Sequence, residues 1–378
     1  MTAHLPHVVL DALLVNTRPT GVGRSILELT KAMSQVRWEM QFTLLVTTPQ
    51  LFLWLDDCPE WTVHHCPGAC GGTLRKAFFT QFKIPSLCRI LGADLFHSLQ
   101  FVAPMNLSCP NVVTVHDLAW LRFPRTVEEP RRTYYRLLVP GTLQRAAAVV
   151  ANSEATVHDV VRYYPQCRDV SVTPFGTPSW VWEQTSTPQV AHVGRPFFLF
   201  VGTLEPRKNL ENIIAAFSQL LLTPLAKGAK CWPSLVLVGG KGWKDSSLRR
   251  LMEPLTLSGD LDVLDYCDIP KLRQLYHSAQ ALLFPSLHEG FGFPILEAMA
   301  FELPVITSGV GAMAEVAGQN ALLVDPENVD ELCGAMTQIA GSQELRARLG
   351  AAGPARSRQW SWDHTAASTV AVYRRVLK

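Results

Sequence analysis

Two glutamates, Glu289 and Glu297, flank a knot of glycine, phenylalanine and proline in the stretch FPSLHEGFGFPILEAMAFELPVITS. The apolar run ALLFPS before them reads as a strand, and PILEAMAF after them reads as a helix with Pro294 in its first turn, where a missing N–H costs nothing. That spacing puts Glu297 in the first helical turn, where a carboxylate also complements the helix dipole. Glu289 falls in the preceding loop, whose glycines Gly290 and Gly292 let backbone approach a ligand closely. Two carboxylates beside such a turn can accept hydrogen bonds from several hydroxyls, which is what sugar and ribose rings offer. A plain dipole partner and a surface acid would account for Glu297 but would leave the HEGFGFP turn unexplained.

A second constellation follows the apolar run FFLFVG, in VGTLEPRKNLENIIAAF. Asn209 is placed to cap the next helix, and Arg207 and Lys208 stand just before its start. Two cations there repel the positive end of the helix dipole unless an anion sits between them, which points to pyrophosphate binding. Near the N-terminus, NTRPTGVGRSILEL opens a helix at Gly21 and Gly23. A nicotinamide-cofactor fingerprint would need a third glycine where Ile26 stands, and an acid after the second strand, where LLVTTPQ has none. The cluster CPEWTVHHCPGAC offers Cys58, His64, His65, Cys66 and Cys70, but its spacing matches no standard zinc pattern. A strand puts His64 and Cys66 on one face and His65 on the other.

The elements that must hold these residues alternate between apolar strand-like runs and helical patterns, as parallel sheets covered by helices require. First-half strands are expected at Val8–Val15, Phe42–Thr47, Thr62–His65, Leu95–His97, Val112–His116, Ala148–Asn152 and Val170–Thr173. Ser153 is placed to cap the helix SEATVHDVVRYY. The stretch Gly176–Pro196 is rich in Pro, Thr and Ser and has no steady period, so it reads as a linker. A second series follows: FFLFVG, SLVLVGG, LDVLDYC, ALLFPS, LPVITS and ALLVDP. With 378 residues, the chain suits two such α/β domains. Ligands sit beyond the carboxyl ends of the strands in these sheets, where the motifs lie.

Composition excludes other classes. A hydrophobic fraction of 48% rules out a disordered chain, and a net charge of +2 gives no general case for nucleic acid. The nine cysteines include no C-x-x-C pair and fit free thiols in a reducing cytoplasm. No run reaches the roughly 18 apolar residues of a membrane helix, and the N-terminal apolar run reads as a buried strand rather than a signal peptide.

HEGFGFPILEAMA resembles the E-x(7)-E signature of the retaining nucleotide-sugar glycosyltransferases of family 4. The resemblance extends to VGTLEPRKNLENIIAAF, LVLVGGKGWKD and EVAGQNALLVDP, and in the first half to TGVGRS, TVHDLAWLRFP and AVVANSEAT. It implies the GT-B fold, two Rossmann-like doubly wound domains facing a central cleft. Residues 1–180 would form an acceptor-side domain on which the helix 361–378 packs back, residues 181–196 a linker, and residues 197–360 the nucleotide-sugar-binding domain. By the same resemblance, Glu297 would hold the ribose and Glu289 the donor sugar, helped by Gly290, Phe291 and Gly292. Arg207 and Lys208 would bind the diphosphate, with Gly23 approaching it from the other domain, and His116 would be the active-site histidine near the transferred sugar.

The implied reaction is metal-independent and needs no cofactor. A departing nucleoside diphosphate is stabilised by cations and helix starts, and the leaving phosphate accepts the acceptor's proton. The overall pattern resembles bacterial mannosyltransferases of surface polysaccharide and lipopolysaccharide assembly. GDP-mannose is therefore the first expectation for the donor and a UDP-sugar the second, with a glycan or lipid-linked acceptor. The stretch YCDIPKLRQLYHSA is shorter than the family's usual segment beside the nucleotide base. From Trp61 to Ala93 there is no acidic residue, while Arg75, Lys76, Lys83 and Arg89 accompany Phe78, Phe79 and Phe82. That pattern suits peripheral docking on the inner face of the cytoplasmic membrane. An epimerase or phosphorylase on the same fold, or an inactive sugar-binding homologue, are the competing readings. No pyridoxal-phosphate motif supports the phosphorylase, and intact Glu289, Glu297, Arg207, Lys208 and His116 argue against decay.

Overall fold

The structure is a computed structural model that describes residues 4–183, 195–223, 226, 232–240 and 245–378. Much of the expected linker, and Lys241–Lys244 of the GGKGWKD stretch, lie outside the described residues.

Among the described residues, the first half builds a seven-stranded sheet from β1 (His7–Asp11), β2 (Gln41–Val46), β3 (Trp61–His65), β4 (Leu95–Ser98), β5 (Asn111–Val115), β6 (Ala148–Ala151) and β7 (Val170–Val172). A six-stranded sheet follows, from β8 (Phe197–Val201), β9 (Ser234–Val238), β10 (Leu261–Leu264), β11 (Ala281–Phe284), β12 (Val305–Ser308) and β13 (Leu322–Val324). All pairings are parallel. Strands buried on both faces must be apolar at every position, not at alternate ones. Val8, Val9 and Leu10 in β1 and Leu235, Val236 and Leu237 in β9 are accordingly all 0% exposed. The first strand is shorter than expected. It ends at Asp11, whose carboxylate accepts from the Leu13 N–H at 3.0 Å and turns the chain out of the sheet.

Strand order runs β3-β2-β1-β4-β5-β6-β7 in the first sheet and β10-β9-β8-β11-β12-β13 in the second. Each order reverses direction once, between β1 and β4 and between β8 and β11. At such a point the two flanking loops diverge to opposite faces and leave a crevice at the strands' carboxyl ends. The loops after β8 and β11 are the ones that carry Arg207, Lys208 and Glu289.

The chain divides into two compact units, residues 1–176 with 361–378, and residues 177–360. In the first, the helix Trp362–Val376 packs on the helix Gly21–Ser34. Its Tyr373 hydroxyl meets His97 Nδ1 at 2.5 Å, while His97 Nε2 pairs with Thr114 at 2.8 Å. Burial, with a smaller contribution from His116, lowers the His97 pKa to about 3, so the imidazole is a neutral core group. Ser153 caps its helix as expected, accepting from the Thr156 N–H at 3.1 Å.

Candidate functional site

The loop after β8 closes in a short 3-10 turn, Pro206–Lys208, and Asn209 then takes a left-handed conformation with φ of 63° before the helix Leu210–Leu222. Asn209 stands at the cap position but does not cap. Its amide instead donates to the Pro285 carbonyl at 2.9 Å and the Pro326 carbonyl at 2.6 Å. A short polar side chain tolerates the left-handed region, and the reward here is a tie between three post-strand loops. The Arg207 carbonyl makes another, accepting from the Leu287 N–H at 2.9 Å.

After β11 the chain runs through His288, Glu289, Gly290 and Phe291 to Gly292, whose φ of 113° belongs to glycine. A Cβ there would also stand 3.1 Å from Ile295 Cδ1. The helix Phe293–Ala300 follows with Pro294 in its first turn, as the sequence requires. Glu297 corrects the expectation drawn from that spacing. Because the helix already begins at Phe293, Glu297 lies past the first turn, and no acid occupies that turn. It is instead a core carboxylate, 1% exposed, accepting from the Tyr276 hydroxyl at 2.7 Å. Tyr276 comes from the helix Ile269–Ser278, is fully buried, and stacks on Phe301 with ring centroids 5.6 Å apart. Sequence reasoning missed it. The only signal was its place in YCDIPKLRQLYHSA, where a tyrosine on an amphipathic helix looks like ordinary core. Phe291 is buried edge-on against Phe293 and Trp360.

Glu289 joins the two loops. Arg207 Nη1 donates to its Oε2 at 2.5 Å and Lys208 Nζ to its Oε1 at 2.6 Å. Arg207 Nη1 also reaches the His288 carbonyl at 2.8 Å, and its Nη2 holds Glu205 at 2.7 Å. Lys208 Nζ lies 4.9 Å above the Phe284 ring, so its charge has an aromatic floor. Burial by itself would raise the Glu289 pKa, but Arg207 and then Lys208 outweigh it and lower it to about 2. The sequence called for an anion between the two cations and suggested a diphosphate. In the structure a carboxylate from the neighbouring loop stands there.

The remaining candidates belong to the first unit. Gly23 is buried in the first turn of the helix Gly21–Ser34, where a Cβ would lie 3.1 Å from Pro19 Cβ. His116 follows β5 directly and is 5% exposed. Its Nε2 meets the Leu99 carbonyl at 2.9 Å. A carbonyl only accepts, so Nε2 carries the proton and Nδ1 is left as the acceptor. Phe101 and Phe175 enclose the ring, and burial lowers its pKa, which keeps it neutral. Among the described residues no group of three or more His, Cys, Asp or Glu is placed to hold a metal ion, the Cys58–Cys70 cluster included.

Comparison with known proteins covers both units. The family model described as "Glycosyl transferases group 1" matches residues 183–356, and "Glycosyltransferase Family 4" matches residues 19–178. O-antigen chain mannosyltransferase B of Escherichia coli is 29% identical over 289 residues, 74% of this chain and 74% of that protein. Among solved structures, sucrose-phosphate synthase from Thermosynechococcus elongatus superposes with a TM-score of 0.75 at 20% identity, over 98% of this chain and 99% of that one. Anabaena HepE, solved in complex with UDP and glucose, gives 0.74 at 18% identity, over 98% of this chain and 100% of that one. The pair of parallel doubly wound sheets is the GT-B fold.

Proposed function

The chain belongs to the family 4, group 1 glycosyltransferases, and on that premise we propose that it moves a hexose from a nucleotide-sugar to a growing surface glycan with retention of anomeric configuration. The observation that carries this reading is the placement of Arg207, Lys208 and Glu289 together at the point where the second sheet reverses its strand order. In the reading we adopt, Arg207 and Lys208 take the diphosphate and Glu289 the sugar hydroxyls, beside the Gly290–Gly292 turn. Glu297 orders the ribose side, with Tyr276 fixing its carboxylate. A nucleoside diphosphate leaves as developing negative charge, which two cations beside the start of a helix stabilise, so we assign no metal to the step.

We assign mannose from GDP-mannose first, supported by the name of the Escherichia coli relative, and a UDP-sugar second, supported by the UDP in the HepE structure. Thermal melting against GDP, UDP, ADP and TDP tests the assignment. A ligand at a hundred times its Kd adds about 2.7 kcal/mol of stability. GDP is expected to raise the melting temperature most, and the product made from GDP-mannose is expected to keep the donor's anomeric form by NMR. A larger rise with UDP moves the donor to the second class. No rise with any nucleotide removes the nucleotide-sugar reading, and an inverted product removes retention.

The acceptor reading includes an anionic lipid surface. The helices Thr73–Phe78 and Ile84–Ile90 and the π-helical turn Phe79–Lys83 between them expose Phe78 (57%), Phe82 (63%) and Ile90 (80%). Arg75, Lys83 and Arg89 are exposed alongside, in a segment without a single acid. Each basic side chain near an anionic leaflet contributes about 1 kcal/mol, and the aromatic pair can enter the headgroup boundary. Among the described residues no helix is long and apolar enough to cross a membrane. The protein is expected to float with phosphatidylglycerol-containing vesicles and not with pure phosphatidylcholine. Flotation with both, or with neither, counts against the docking face.

A further inference from the structure

Four charged side chains meet at the cation pair. Arg207 and Lys208 are answered by Glu289 on one side, at 2.5 and 2.6 Å, and Arg207 by Glu205 on the other at 2.7 Å. Among the described residues these ion pairs set two carboxylates against the two cations, so a diphosphate arriving here meets negative groups already held by the cations it would bind. Like charges at that range repel, and low exposure weakens the screening by water. Side-chain exposure is 10% for Glu289, 16% for Arg207 and 11% for Lys208.

We propose that Glu289 is an internal competitor of the diphosphate, and that its carboxylate leaves the cations readily only when the sugar of an intact donor offers hydroxyls in their place. The inference rests on the donor reading above and deepens it. A buried carboxylate drawn off two charge-assisted hydrogen bonds must find other donors, or it stays uncompensated at considerable cost. A nucleotide-sugar supplies both parts of the exchange, phosphate oxygens for the cations and hydroxyls for the carboxylate. The nucleoside diphosphate left after transfer supplies only the first, so Glu289 weakens the hold on the product and favours its release. Glu205 keeps Arg207 oriented throughout, since its hydrogen bond uses Nη2 while Glu289 uses Nη1. With its pKa near 2, Glu289 remains ionised through the neutral range, so the competition does not fade there.

Glu289→Gln keeps the size of the side chain and removes its charge. In calorimetry with GDP, UDP and inorganic pyrophosphate, the variant is expected to bind the matching nucleoside diphosphate and pyrophosphate about tenfold more tightly than the parent. A 2-fluoro donor analogue should gain much less, so the ratio of donor to product affinity falls, and turnover falls with it. Glu289→Asp, which restores the charge, should return diphosphate affinity toward that of the parent. Unchanged or weaker diphosphate binding by a folded Glu289→Gln protein overturns the inference and leaves the donor reading standing. An equal gain for donor analogue and diphosphate also overturns it, because Glu289 would then be a general repulsion without sugar dependence. If Glu289→Gln does not fold, Glu289→Ala is read by the same criteria. Failure of parent and variants alike to bind any nucleotide removes the donor reading itself.

Discussion

Lys208→Ala is expected to slow sugar transfer by about a hundred- to a thousand-fold, the usual effect of deleting one group that stabilises developing negative charge. Three constraints fix the side chain in position. The left-handed Asn209 ends the loop beside it, Phe284 lies 4.9 Å beneath its ammonium, and Glu289 orients it at 2.6 Å. Removing the ammonium also leaves Glu289 to Arg207 alone, so part of the loss reflects a repositioned carboxylate. Lys208→Arg keeps the charge but brings a planar fork in place of a point charge, and recovery should be partial. Steady-state kinetics on proteins of matched melting temperature decide the matter. A Lys208→Ala enzyme within about threefold of the parent in kcat would show that the leaving group is stabilised elsewhere.

Gly239→Ala is expected to destroy the second unit rather than its activity. Gly239 directly follows β9, and a Cβ on it would lie 1.9 Å from the Gly202 carbonyl oxygen and 2.6 Å from the carbonyl carbon. That carbonyl has little freedom to retreat, because the Gly202 N–H is already bonded to the Val238 carbonyl at 2.9 Å. The backbone of Gly239 also has a φ of 156°, which side chains rarely adopt. Overpacking against main chain belongs to the severe class of substitutions, and more than about 4 kcal/mol is expected. The neighbouring Gly240→Ala supplies the control, since a Cβ there meets nothing within 4 Å. Circular dichroism melts should show Gly240→Ala close to the parent and Gly239→Ala unfolded or melting far earlier. Equal melts would mean that the β8 and β9 ends can separate freely. They also sit beneath the site, because a Cβ on Gly202 would stand 3.5 Å from Lys208 Cε.

The sheets were legible because parallel strands buried on both faces need unbroken apolar runs, and FFLFV or SLVLV has few other uses. Local chemistry was legible where it acts over a few residues: Ser153 as a cap, Pro294 in a first turn, glycines ahead of a helix. It failed where a distant partner outbids the local one. Asn209 has the composition of a cap, yet carbonyls at 285 and 326 claim its amide. Glu297 was read one turn too early because the helix takes in Phe293 behind a left-handed Gly292, which no propensity scale would favour. The pairing of Glu289 with Arg207 and Lys208 spans 82 and 81 positions, and only the adjacency of β8 and β11 brings it about. A single sequence carries the charges but not the strand order that introduces them. Tyr276 was lost for the same reason.

The first unit is interrupted by the second, and this bears on the order of events as the chain leaves the ribosome. Strands β1 to β7 emerge first, but the helix that brings Tyr373 to His97 is made only after every residue of the other unit. Until then the nascent first sheet lacks the cover of that helix beside Gly21–Ser34. The second unit is continuous and has all its residues at hand sooner. Once it folds, its two ends are held together, with the Thr177 N–H donating to the Trp360 carbonyl at 2.9 Å and the Thr177 hydroxyl to the Ser357 carbonyl at 2.7 Å. A closure that would otherwise have to gather a long flexible loop then needs only a short step. The inserted unit thus serves as a clasp, delivering the final helix to the sheet it completes.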